Sequence, residues 1–154
     1  MRFLRTARDP GRLSPGEVEA LVSRLPAVCR QYGVVLMYLH GSHARGEQGS
    51  LSDLDLAALL DDRTAGVLQV ELELLGALQR ASGREDIDLV ILNRAGPIIK
   101  DRVVRYGRLI WARHEQDRVY FEERAIKEAL DFGYFSRQYD QALFQQLREG
   151  ERLG

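Results

Sequence analysis

The 154-residue chain holds one cysteine, one tryptophan and almost no net charge, with 22 Lys and Arg against 23 Asp and Glu. Cys29 has no second thiol to pair with, so no internal disulfide forms, a composition that suits a reducing cytosol without requiring one. No apolar run approaches the roughly 18 residues a bilayer span needs, and no signal-like apolar segment follows the first residues. A cytoplasmic protein with no membrane partner is expected. A net charge of −1 exerts no global pull on nucleic acid, and no direct nucleic-acid partner is expected. Internal repeats and low-complexity segments are also lacking.

Hydrophobic residues make up 45% of the sequence and charged residues 29%, ordinary proportions for one globular domain with one core. Residues 1–13 carry Arg2, Arg5, Arg8 and Arg12 and are broken by Pro10-Gly11, which reads as a loosely held arm. Ser14-Pro15-Gly16-Glu17 has the grammar of a helix start, with a serine cap, proline at the first position and a glutamate completing a capping box. Val18, Leu21, Val22, Leu25, Cys29 and Tyr32 follow at helical spacing, and Gly33 can close the helix. Thr64 to Arg80 reads as a second helix with Val67, Val70, Leu74, Leu75 and Leu78 inward. Ile87 to Leu92 reads as a strand, Ile98 to Tyr106 as a helix that Pro97 opens, and Leu109 to Trp111 as an edge strand. The order predicts an α/β architecture, a sheet with helices covering a face. Residues 14–112 form the predicted domain, and residues 113–154 a C-terminal helical extension, read as two helices meeting at Gly133.

The stretch Val34 to Leu60 carries the chemistry. Val34 to Leu39 is apolar and β-branched, a buried strand, and Gly41 stands where the chain must turn. Leu54 to Leu60 is a second strand. Alternation puts Asp53 and Asp55 on one face with Cα atoms roughly 6.6 Å apart, two rises of about 3.3 Å. Like charges on a half-buried strand are costly, and nothing in folding asks for them. Bound Mg²⁺ removes the conflict, and two carboxylates so placed can share a pair of these ions. Mg²⁺ is usually held by one or two carboxylates plus substrate phosphates, so a phosphate binder should lie nearby. Gly41 lets the backbone approach a phosphate, and Ser42 at the head of a turn over 42–47 offers free N–H groups. Arg45, one turn on, can meet a phosphate bidentately, or hold a nearby acid instead. His40 and His43 flank the turn, but their spacing across it is not that of a helical ligand pair. Asp86 and Asp88 share a face of the third strand, and either approaches the first pair if that strand is adjacent.

Gly41-Ser42, ten residues, Asp53, one residue, Asp55 resembles the signature of nucleotidyltransferases of the DNA polymerase β superfamily. The fuller GSHARGEQGSLSDLDL is similar to its minimal branch, small bacterial and archaeal proteins that include MntA-type antitoxins encoded beside a HEPN-domain toxin. The resemblance runs from about Val34 to Trp111. It implies a polymerase β-like palm, a mixed sheet with flanking helices, and transfer of AMP from ATP with two Mg²⁺ ions. It implies Asp88 as the third metal-binding and catalytic acid beside Asp53 and Asp55, with Asp86 as competitor. It implies Gly41, Ser42 and Arg45 as nucleotide-binding residues. The implied acceptor is a tyrosine of a HEPN toxin, in a homo-oligomer or a hetero-oligomer with that toxin. A small-molecule hydroxyl, as on an aminoglycoside, is the alternative acceptor, and a catalytically silent toxin-binding antitoxin the alternative class.

Two distributions complete the reading. Residues 47–73 hold seven acids against Arg63, and residues 94–113 hold six bases against Asp101. They read either as a metal face opposite a basic segment or as solvated surfaces. Seven of the eleven Phe and Tyr residues lie between Tyr120 and Phe144, more than one helix face on a small sheet needs. Any exposed remainder would be a docking surface.

Overall fold

A computed structural model describes residues 15–41 and 54–152. The expected N-terminal arm, the Ser14 cap, and the loop with Ser42, His43, Arg45 and Asp53 lie outside the described residues. Four strands form one sheet: β1 (Val34–Leu39), β2 (Leu54–Leu60), β3 (Ile87–Ile91) and β4 (Arg108–Ala112), in the order β3-β2-β1-β4. β1 runs antiparallel to β2 and β4, whereas β2 and β3 are parallel, so the sheet is mixed as expected. A parallel pair needs a crossover connection, and α2 (Leu68–Ser82) supplies it. The remaining helices are α1 (Pro15–Tyr32), α3 (Pro97–Tyr106) and α4 (Glu115–Arg152).

Every residue of β1 is buried, which is why its sequence is a continuous apolar run rather than an alternation. Helices cover both faces of the sheet, not one. On the first face, Leu21, Leu25 and Cys29 of α1 and Leu74 and Leu78 of α2 pack on Met37, Leu39, Leu54, Leu56 and Ile91. On the second, Leu36, Tyr38, Ala57 and Leu92 meet Val103 of α3 and Phe121 of α4. The Tyr38 hydroxyl carries its polar end into this layer by donating to Glu122 Oε1 at 2.9 Å. Gly33 closes α1 as expected, at φ +67°, with Thr64 packed where a side chain would otherwise stand.

Two expected elements change. α2 begins at Leu68, not Thr64, because residues 61–66 form a turn in which the Asp61 carbonyl accepts from Thr64 N and Ala65 N, both at 2.9 Å, and Gly66 takes φ +82°. Val67 is consequently exposed rather than inward. Residues 115–152 form one continuous helix, not two meeting at Gly133. Its first half seats Phe121 and Ala125 in the core, whereas Phe132, Tyr139 and Phe144 farther along are exposed. The acidic and basic segments pair with each other: Arg94 meets Glu71 at 2.5 and 2.7 Å, and Arg113 meets Asp61 at 3.0 Å.

Candidate active site

β2 and β3 run in register with Asp55 opposite Asp88. In a parallel pair such partners point to one side of the sheet, and adjacent strands lie about 4.8 Å apart, so the two carboxylates stand side by side. Leu54 and Leu56 go into the first core face, which leaves Asp55 on the face of α3 and α4. Asp55 is half-buried and Asp88 exposed at the starts of their strands, where the layer of helices no longer covers them fully.

Asp86 shares that face by alternation but is engaged elsewhere. Arg84 donates from Nε to Asp86 Oδ1 at 2.8 Å and from a terminal nitrogen to Oδ2, a bidentate clamp. The Asp86 carbonyl accepts from Leu54 N at 2.8 Å, which extends the β2–β3 ladder to the start of the site. Of the two competing acids, the one in register with Asp55 is Asp88.

Gly41 ends β1 against this pair. Its φ is +69°, a left-handed conformation that glycine adopts without penalty, and a Cβ there would lie 2.3 Å from Asp55 Oδ2. The turn and the carboxylate are thus in direct contact, and only a residue without a side chain permits it. The expected partnership of Gly41 with the Asp55 strand is present among the described residues; Ser42, Arg45 and Asp53 lie outside them. No group of three or more His, Cys, Asp or Glu side chains that would cage a metal occurs among the described residues. Two adjacent carboxylates with a glycine turn on one flank are nonetheless an oxygen donor set of the kind that fits Mg²⁺ together with a phosphate.

His40 was considered in the sequence only as half of a metal pair with His43. The β1 alternation already places it on the Tyr38 side of the strand, the side of Asp55, and that was the available signal. A concavity of about 420 Å³ lies at the opposite end of the sheet between Leu60–Asp62 and α4. Five of its charged groups pair with one another, Arg113 with Asp61 and Asp117, and Lys100 with Glu128. It is remote from the Asp55–Asp88 pair along the strands.

Residues 24–116 match the polymerase beta nucleotidyltransferase family model. The protein adenylyltransferase MntA of Shewanella oneidensis is 34% identical over 86 residues, 55% of this chain and 59% of that protein. The chain therefore spans about three-fifths of the length of the curated relative it matches. Among solved structures, a mutant MntA–HpeT toxin–antitoxin is 25% identical with a TM-score of 0.61, and a toxin–antitoxin crystallised with AMP-PNP is 26% identical with a TM-score of 0.60. Each alignment covers 82% of this chain and 98% of the other.

Proposed function

We propose, because the chain belongs to the polymerase β nucleotidyltransferase family, that it transfers AMP from ATP to a hydroxyl group, with a tyrosine of a HEPN-domain toxin as acceptor. The observation that carries this reading is the register of Asp55 with Asp88 beside Gly41. The adenylyltransferase relative and the similar structure holding AMP-PNP support it.

Asp53, Asp55 and Asp88 are the residues that would hold Mg²⁺. When bound, Mg²⁺ neutralises the triphosphate and lowers the charge that the leaving pyrophosphate must carry. Gly41 and Ser42 bring backbone N–H groups to the β- and γ-phosphates, and Arg45 adds a forked donor. The acceptor oxygen forms a bond to the α-phosphorus as the bond from that phosphorus to the pyrophosphate oxygen breaks. The hydroxyl proton passes to the Asp88 carboxylate, which is exposed and open to an incoming hydroxyl. Asp86 serves that step poorly, since Arg84 occupies both of its oxygens.

The test incubates the protein with ATP, Mg²⁺ and the product of the adjacent gene and reads the partner's mass. An increment equal to one or more AMP units is expected. A partner neutralised at unchanged mass would replace the enzyme by a binding-only antitoxin, and the absence of both effects would sink the reading.

A further inference from the structure

The row of side chains that Asp55 and Asp88 begin continues onto β1. The β1–β2 ladder pairs Leu39 with Leu56, and its next rung is the hydrogen bond from His40 N to Asp55 O at 3.0 Å. Residues joined in this way across antiparallel strands are directly opposite, with side chains on one face. His40, Asp55 and Asp88 therefore stand abreast on three neighbouring strands. One residue beyond His40, Gly41 turns against the Asp55 carboxylate. His40 thus stands on the strand beside Asp55, one residue before the turn that touches that carboxylate.

His40 Nε2 is buried and has no hydrogen-bond partner among the described residues. Such an atom is costly, and the great majority of buried polar side-chain atoms avoid that state. Packing does not call for it, because β1 is otherwise apolar and a Phe would continue the strand and fill a similar space without an unmet polar atom. A buried nitrogen kept without a partner beside the acids is placed for a ligand. In the proposed reaction the ligand portion beside these acids and the glycine turn is the triphosphate, whose oxygens accept hydrogen bonds.

We infer that His40 is a further nucleotide-contacting residue, its Nε2–H donating to an oxygen of the triphosphate. This rests on the nucleotidyltransferase reading, and its test separates the two. Binding of AMP-PNP with Mg²⁺ is measured by calorimetry for the unaltered chain, His40→Phe and His40→Gln, and thermal unfolding is measured without nucleotide. His40→Phe is expected to weaken binding about tenfold or more, as loss of a hydrogen bond to a charged group does. Its Tm is expected to stay level or rise, because an unmet buried donor has gone. His40→Gln, whose amide reaches the position of Nε2, is expected to recover most of the affinity. Equal binding by His40→Phe, or a lowered Tm with no recovery in His40→Gln, would overturn the inference and leave the enzyme reading standing. Failure of the unaltered chain to bind AMP-PNP would overturn both.

Discussion

Asp55 and Asp88 oppose each other across the parallel β2–β3 ladder, while Asp86, two residues earlier on the same face, is clamped by Arg84. Register thus separates two aspartates that strand alternation alone leaves equal. Asp88→Asn is expected to lower the rate of AMP transfer by about a hundredfold or more, the range that proton-transfer groups contribute. Its Tm should hold or rise, since a like-charge neighbour of Asp55 has been neutralised. Asp86→Asn should keep the rate within a few-fold. Radiolabelled AMP incorporation, with thermal unfolding as the control, checks both; equal losses would undo the assignment.

Gly41→Ala tests the contact between the turn and the acid. The added Cβ meets Asp55 Oδ2 at 2.3 Å and must also accept φ +69°. The left-handed backbone alone costs roughly 1–2 kcal/mol for an L-residue. Relief of the clash requires the Asp55 carboxylate to swing away from the turn and from its place beside Asp88. The expected outcome is a stability loss of that order in denaturant unfolding, together with loss of AMP transfer. Gly16→Ala is the control, since a Cβ there meets nothing within 4 Å and the residue is exposed on α1.

What the sequence made legible and what it did not divide along a physical line. The β1 run, the Gly33 stop and the proline start of α3 are local signals, read from neighbours in the chain and found in the fold. Asp88 was preferred to Asp86 through the family resemblance, whereas its place opposite Asp55 is a property of pairing between segments 33 residues apart in the chain that no local signal carries. His40 was on the right face by simple alternation, but its unmet nitrogen exists only once the surrounding chain buries it. The two charge-biased segments looked like separate surfaces because nothing local indicates that Glu71 will meet Arg94.

That pair gives a pH prediction. Glu71 is buried, and Arg94 grips both its oxygens while Gly66 N donates to Oε1 at 3.3 Å. The Arg94 hydrogen bonds hold the Glu71 carboxyl below its ordinary value of 4.5, against the opposing effect of burial. A carboxyl lowered on folding stabilises the fold above its unfolded value, and the contribution fades as pH falls through the lowered folded value. Arg94→Ala is therefore expected to lower the Tm by about 2–4 °C at neutral pH. The gap to the unaltered chain should stay constant down to about pH 5 and narrow below the unfolded value. A gap that persists at the acid end would mean the Arg94 contribution is packing rather than charge.

Gly133 was read as the meeting point of two helices, and the chain instead carries α4 straight through it. A glycine inside a helix costs roughly 0.8–1 kcal/mol relative to alanine, because its unfolded backbone has more freedom to lose and it adds no side-chain contact. At Gly133 neither reason for tolerating that cost is present: a Cβ would meet nothing within 4 Å, and the φ is not in the left-handed region. Gly133→Ala should therefore strengthen α4, which holds Phe121 and Ala125 in the core through its first half and leaves Phe132, Tyr139 and Phe144 exposed through its second. The expected result is a rise in helical circular dichroism and slower amide exchange between residues 130 and 148. Thermal unfolding of the domain should shift less, since the glycine lies beyond the part of α4 that packs on the sheet. A fall in helicity would show that the helix needs a flexible joint there, and the two-helix reading would then describe the chain better.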